Sequence, residues 1–222
     1  MKPPAPAASE SVGREVSRGA EAQLHVVEWL GLDALRKERD AKAYRPKALD
    51  ERLRRERTRN EVRLLAEARR LGVRTPIVYD VDLEKNRIIL EHLPGPTLRE
   101  LLEAGRDDPA GLEPPVRSFG TALGRLHAGG ISHGDLTSSN VLFPDGPTGT
   151  AALIDLSMGA RSAGLEERGI DLHLVEEDLK ALHPKGEALY RSFLAGYEGG
   201  NPEGAKDVRK RAREIKGRIR YA

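Results

Sequence analysis

The segment His133-Gly134-Asp135-Leu136-Thr137-Ser138-Ser139-Asn140 puts an aspartate and an asparagine on one short loop. Fifteen residues beyond Asn140, Asp155 closes the apolar run 151–154. Phosphoryl transfer from a nucleotide needs such a set. One carboxylate, here Asp135, accepts or orients the proton of the attacking hydroxyl. An amide and a second carboxylate, here Asn140 and Asp155, hold the magnesium ion that bridges the phosphates. His-Gly-Asp alone is a common turn, and an aspartate after a strand is often only a cap. Asp, Leu and Asn at fixed offsets, with another Asp after the next strand, are much harder to obtain from turns. The chemistry implied is ATP- and Mg2+-dependent.

The same chemistry needs a lysine for the phosphates and a helix glutamate to hold it. Lys37 ends a strand-like segment, the required place, although a lysine among Arg36, Glu38 and Arg39 is by itself only a surface charge. Glu61 precedes Leu64 and Leu65 by three and four residues and shares their inward face, where an unpaired carboxylate is costly. Glu56 and Glu67 have comparable neighbours, so periodicity does not choose among the three. Gly19-Ala20-Glu21-Ala22 is the candidate turn over the phosphates, far short of G-x-G-x-x-G. Leu90-Glu91-His92-Leu93 is the candidate hinge strand, with main-chain groups of Glu91 and Leu93 offered to adenine. Leu35, Leu90, Leu142 and Ile154 complete the expected nucleotide-binding positions.

The elements that must carry these groups follow from pattern. Residues 1–10 read as a proline-rich flexible leader. Residues 19–29 predict two strands joined by a turn, and Gly31 a further turn before a strand at 34–38. Residues 49–71 predict a helix with Asp50 as cap and Gly72 as stop. Strands are expected at 78–81 and 87–93, before Pro94-Gly95-Pro96 breaks the chain. Thr97 caps a short helix at 98–103, and a longer one spans 115–127. Short strands at 141–143 and 153–154 bracket a turn, and helices at 169–182, 185–197 and 202–215 close the chain. Strands with one helix therefore come first and helices dominate afterwards, with a hinge near 91–95.

Composition permits this layout. The 222 residues leave room for two small lobes, and 38% apolar content with nine aromatics predicts an aliphatic core. There is no cysteine, hence no disulfide framework and no thiolate zinc site. No run approaches a membrane span and the N-terminus lacks a signal-peptide apolar region, so a cytoplasmic home is expected. Net charge is only +2, yet residues 206–220 hold eight Lys/Arg against two Asp/Glu. A basic end on a near-neutral chain points to a localised anionic partner.

Two matches sharpen the reading. The loop resembles the kinase signature H-R-D-L-x-x-x-N followed by D-F-G, with Gly134 in place of arginine and Asp155-Leu156-Ser157 in place of D-F-G. Lys37-Glu38-Arg39, Tyr44-Arg45, Leu49-Asp50 and Arg57-Thr58-Arg59-x-Glu61-x-Arg63-Leu64-Leu65 resemble the N-lobe of the small atypical, PRPK-type kinase of the KEOPS complex. Gly-Ala-Glu-Ala, His-Gly-Asp-Leu-Thr and the arginine-rich end resemble that family too, from about Ser17 to Tyr221. The resemblance implies an α+β, minimal protein-kinase-like bilobal fold without an activation segment. Its divisions would be a leader (1–10), an N-lobe (11–92), a C-lobe (93–205) and a basic helix and tail (206–222). Ile170 comes only fifteen residues after Asp155, and no A-P-E is present. Thr137 stands where protein kinases usually carry a lysine for the γ-phosphate.

The resemblance further implies Glu61 as the helix glutamate, and an ATPase and atypical Ser/Thr kinase supporting threonylcarbamoyl-adenosine formation in tRNA. Expected partners are the threonylcarbamoyl-transferase subunit, a small regulatory subunit on the N-lobe, and tRNA. Arg213, Lys216, Arg218 and Arg220 are expected to face the tRNA or the transferase subunit, on a helix that frays across 216–220. Two rivals remain. An aminoglycoside- or choline-type phosphotransferase shares the loop but needs an acceptor pocket, and only about forty residues lie between Leu93 and His133. A silent kinase-like adaptor would need none of Lys37, Glu61, Asp135, Asn140 and Asp155.

Overall fold

The structure is a computed structural model that describes residues 14–18, 22–105 and 107–219. The leader, Gly19, Ala20 and Arg220 lie outside the described residues. The chain divides into two compact units, residues 1–62 with 77–92, and residues 63–76 with 93–222.

The first unit is built on an antiparallel sheet ordered β1-β2-β3-β5-β4. Its strands are β1 (Arg14–Arg18), β2 (Gln23–Trp29), β3 (Leu32–Glu38), β4 (Val78–Asp82) and β5 (Arg87–Glu91). Leu30 and Gly31 both adopt positive φ, 52° and 80°, as a two-residue type I′ hairpin turn requires. Val27 pairs with Ala34 across that hairpin, and with Trp29, Ile89 and Tyr79 forms a small apolar cluster. The expected pair of strands within 19–29 is corrected. All seven residues of β2 pair with β3, which leaves no length for a second strand, and β1 lies upstream of Gly19.

Helix α1 (Lys47–Arg70) starts three residues earlier than Asp50, so Asp50 is not its cap. Pro46 opens the helix instead, its carbonyl accepting the Asp50 N–H at 3.0 Å. Asp50 sits in the first turn, where a negative charge suits the helix dipole. Its carboxylate accepts from Arg54 Nε at 2.7 Å.

In the second unit, α2 (Leu98–Ala104) carries a full capping box. Thr97 Oγ1 accepts the Glu100 N–H and Glu100 accepts the Thr97 N–H, as the Thr-x-x-Glu spacing requires. The other helices are α3 (Glu113–Ala128), α4 (Leu165–Leu182), α5 (Gly186–Gly200) and α6 (Ala205–Ile219). Short strands β6 (Ile131–Ser132) and β9 (Ala160–Arg161) pair, as do β7 (Val141–Leu142) and β8 (Ala152–Leu153). All three phenylalanines of the chain, Phe119, Phe143 and Phe193, are buried here.

Helices α3 and α5 form the most extensive helix pair. Glycine lets their backbones touch. A Cβ on Gly124 would stand 2.5 Å from the Tyr197 carbonyl oxygen. One on Gly120, Gly196 or Gly200 would strike the carbonyls of Phe193, Arg117 or Thr121 closer still. Gly120/Gly124 and Gly196/Gly200 are each four apart and so lie on one helix face. Among the described residues no helix is long and apolar enough to cross a membrane.

Candidate functional site

In the first unit, Lys37 lies in the middle strand, paired with Leu24 on one side and Ile88 on the other. Its Nζ donates to Glu61 Oε1 at 2.7 Å, and the two side chains are only 8% and 1% exposed. The ambiguity among three glutamates disappears in the structure. Glu56 is exposed and faces Arg52, Glu67 pairs with Arg161, and Glu61 alone of the three reaches Lys37. Arg39 is buried too and donates to Glu61 Oε2 at 2.7 Å. Leu35 is half-buried on β3 beside Leu90, and Leu90 and Leu93 are buried. The Glu91 N–H donates to the Ile77 carbonyl at 2.8 Å.

In the second unit, the loop from His133 to Asn140 is held from several directions. Asp135 is exposed at its centre. Asn140 Nδ2 donates to the Asp135 main-chain carbonyl at 2.8 Å, which leaves Oδ1 as the amide atom that could take a cation. Pairing of β7 with β8 continues one step as the Ile154 N–H donates to the Asn140 carbonyl at 3.1 Å, so Asp155 follows directly. Asp155 is left-handed, φ 56° and ψ 62°, a conformation uncommon for a residue with a side chain. Leu142 on β7 and Ile154 just after β8 are half-buried. An amide oxygen and a carboxylate, without histidine or thiol, suit magnesium, a hard cation that keeps several waters. Asn140 and Asp155 are the residues that can hold it.

Gly134 is not simply a lost arginine. Its φ is +80°, and a Cβ there would collide with the Met158 carbonyl. Its N–H and that of His133 donate to the buried Asp171 carboxylate at 2.9 and 2.6 Å. Seven residues further along α4, Asp178 accepts the Ser138 N–H at 2.7 Å. Two carboxylates two turns apart thus grip both ends of the loop that carries Asp135. His133 Nε2 donates to the Ile154 carbonyl at 3.0 Å and ties the loop to the strand before Asp155.

Asp171 is itself the end of a buried chain of donors. Asn201 Nδ2 donates to Tyr197 Oη at 3.2 Å, the Tyr197 hydroxyl to His127 Nδ1 at 2.8 Å, and His127 Nε2 to Asp171 at 3.1 Å. Burial lowers the His127 pKa, which keeps the ring neutral with one proton to place. Burial pushes the Tyr197 phenol up to about 12, so it remains a donor. Burial alone would raise the Asp171 carboxyl, but the hydrogen bond from His127, with that from the His133 main chain, holds it below the ordinary value. Asp171, Asp178, His127 and Tyr197 did not stand out as functional residues in the sequence. An Asp four residues before the buried Val175 was the available signal, the same argument that favoured Glu61.

The C-terminal helix departs from expectation. It does not fray at Gly217 but runs to Ile219. Lys216 donates to Glu176 at 2.5 Å and lies 3.6 Å from Glu177, and Arg218 donates to Glu166 at 2.9 Å. These carboxylates of α4 draw the two side chains back onto the chain's own surface. His173, Glu176 and Glu177 are grouped closely enough to hold a cation, and the Lys216 ammonium supplies one. Arg213 is exposed.

A small sheet with a buried lysine–glutamate pair, followed by a helical unit with an Asp–Asn–Asp loop set, is the make-up of a kinase-like chain. Residues 6–197 match the lipopolysaccharide kinase (Kdo/WaaP) family. The chain is 32% identical over 192 residues to the EKC/KEOPS complex subunit bud32 of Dictyostelium discoideum, covering 85% of this chain and 76% of that protein. It is also similar to proteins named probable bifunctional tRNA threonylcarbamoyladenosine biosynthesis protein. In Methanosarcina mazei the identity is 40% over 212 residues, and in Methanoculleus marisnigri 40% over 206. These matches cover 95% and 93% of this chain but only 36% of each relative, so the chain spans about a third of their length. The chain belongs to this kinase-like family, with the KEOPS subunit bud32 among its relatives.

Proposed function

We propose that the chain is the kinase-like subunit of a KEOPS-type assembly, using ATP to support formation of threonylcarbamoyl-adenosine in tRNA. The observation that carries the phosphotransfer reading is the buried Lys37–Glu61 pair at 2.7 Å. Burying a charge pair is of little use to stability alone, and a silent adaptor would have no need of it. The tRNA setting rests on the names of the relatives, and it implies a cytoplasmic location.

In this reading Lys37, held by Glu61, contacts the nucleotide phosphates, and Asn140 Oδ1 and the Asp155 carboxylate hold magnesium. When bound, the ion neutralises charge on the phosphate oxygens. Asp135 orients the attacking water or hydroxyl and accepts its proton, while Asp171 and Asp178 keep the loop backbone fixed. Leu35 and Leu90 in the first unit, and Leu93, Leu142 and Ile154 in the second, are the proposed nucleotide-binding positions, together with Gly19 and Ala20, which lie outside the described residues. A transferase subunit, a small regulatory subunit and tRNA are the partners. Arg213 and Arg220, with Lys216 and Arg218 once released from α4, contact the tRNA phosphates or the transferase subunit.

The test is ATP turnover by the chain alone, with the transferase subunit, and with tRNA added. Magnesium-dependent turnover that rises with both additions is expected. Asp135→Ala should lose most turnover yet keep nucleotide-dependent thermal stabilisation, which Lys37→Ala should lose. Wild-type turnover in Asp135→Ala would overturn the assignment. The name of the matched kinase family motivates a second arm with small alcohols and sugars. Stoichiometric phosphorylation of one of them would replace the tRNA reading with a small-molecule phosphotransferase.

A further inference from the structure

Glu61 is held twice. One oxygen accepts from Lys37 and the other from Arg39, each at 2.7 Å, and the three side chains are 1%, 8% and 3% exposed. Lys37 and Arg39 are two residues apart, so the strand alternation sends both side chains to one face. The backbone of Arg39 is fixed independently. Its N–H donates to the Asn86 carbonyl at 3.2 Å, and its carbonyl accepts from Arg54 Nη1 at 3.4 Å. The buried triad therefore has two cations and one carboxylate.

We infer that Arg39 is a positioning residue, a standing second anchor that keeps Glu61 paired and in place when Lys37 turns to the phosphates. The inference rests on the proposed ATP reading. In a two-membered pair, drawing the lysine toward a phosphate leaves a buried carboxylate half-compensated, and that penalty opposes nucleotide binding. A guanidinium stays charged at every accessible pH and is suited to buried ion pairs. With Arg39 on Oε2, Glu61 remains compensated when Lys37 engages the nucleotide. Ordinary kinases control assembly of the lysine–glutamate pair by moving the helix and ordering the activation segment. With Arg39 in place the glutamate is assembled permanently, which fits a chain with only fourteen residues between Asp155 and Ile170.

Two measurements on the full chain test this. The first needs no nucleotide. Thermal midpoints are compared for Lys37→Met, Arg39→Met, the double variant and the double variant carrying Glu61→Gln. Each single variant should lose little, because one cation still serves Glu61. The double should lose clearly more than the sum, and Glu61→Gln should recover most of the excess. Additive losses would overturn the inference whether or not the chain turns over ATP. The second is steady-state turnover. Arg39→Met should raise KM for ATP roughly tenfold with a smaller change in kcat, the scale of one charge-assisted hydrogen bond, and Arg39→Lys should restore part of the affinity. An unchanged KM in Arg39→Met, beside active wild type, would overturn it. Wild type without turnover would instead sink the ATP reading and leave the stability cycle as the test of Arg39.

Discussion

Replacing Asp171 by asparagine keeps the shape of the side chain and removes only its charge and one acceptor. Three donors converge on the carboxylate: the His133 N–H at 2.6 Å, the Gly134 N–H at 2.9 Å and His127 Nε2 at 3.1 Å. An amide oxygen can serve two of them, and its NH2 then faces the third. One buried donor left unsatisfied costs about 1–3 kcal/mol, and two bonds that fall from charge-assisted to neutral strength cost about 1 kcal/mol each. Relief of the buried charge works the other way. Because the carboxylate is fully bonded, we expect the losses to win, with a net destabilisation of about 3 kcal/mol. Urea unfolding followed by circular dichroism should show the midpoint falling by roughly 1.5 M at a slope near 2 kcal/mol/M, with the slope unchanged.

The loss depends on pH. The folded-state pKa of Asp171 is lowered, so its contribution is complete above the unfolded value near 3.9 and is lost as pH falls through the folded value. The gap between wild type and variant should be constant from about pH 5 to 8 and should narrow below about pH 4. A loss under about 1 kcal/mol at pH 7, or a gap that widens in acid, would refute the reasoning.

Other expectations follow from the same geometry. Gly196→Ala drives a methyl into the Arg117 carbonyl and should cost about 3 kcal/mol, a melting temperature lower by roughly 6–12 °C. Tyr197→Phe removes the donor to His127 Nδ1 and should lower kcat severalfold while KM for ATP stays near wild type; equal loss of both would mean general damage. Gly134→Ala meets the Met158 carbonyl from a positive-φ residue and should abolish turnover even if protein is recovered folded, as checked by circular dichroism. Deleting residues 216–222 removes the partly exposed Lys216 and Arg218 pairs, worth about 0–1 kcal/mol each, and should spare the fold. Transfer RNA affinity should fall, with a shallower salt dependence than wild type; unchanged binding would show the tail to be an ordinary solvated end.

What the sequence disclosed was mostly local. Asp135 and Asn140 sit within one loop, and Asp155 ends the next strand, so spacing alone could propose them. The α+β order, the capping box at Thr97 and the succession of helices are likewise written in short windows of sequence. Partners far apart in the chain were less legible. Helix periodicity could not separate Glu61 from Glu56 and Glu67, because the difference is which one finds a strand residue 24 positions away. Nothing near Arg39 in sequence announces its burial. Asp50 looked like a cap because Pro46 is an equally good start and lies just before it. Gly134 read as a substitution, although the Met158 carbonyl makes a side chain impossible there. The tail looked loose because the carboxylates that hold it lie on another helix.

The glycine seam between α3 and α5 also governs how this unit can open. Where side chains separate two helices, thermal motion can be absorbed by rotamer changes, and the contact loosens by degrees. Here main chain meets main chain at Gly120, Gly124, Gly196 and Gly200, and there is no such slack. The two helices should separate together or not at all, as one cooperative block. His127 and Tyr197 bond across that seam. Amide hydrogens of α3 and α5 should then exchange with solvent at a common free energy, and those of His133 and Gly134, anchored through Asp171, should follow them rather than behave like an exposed loop.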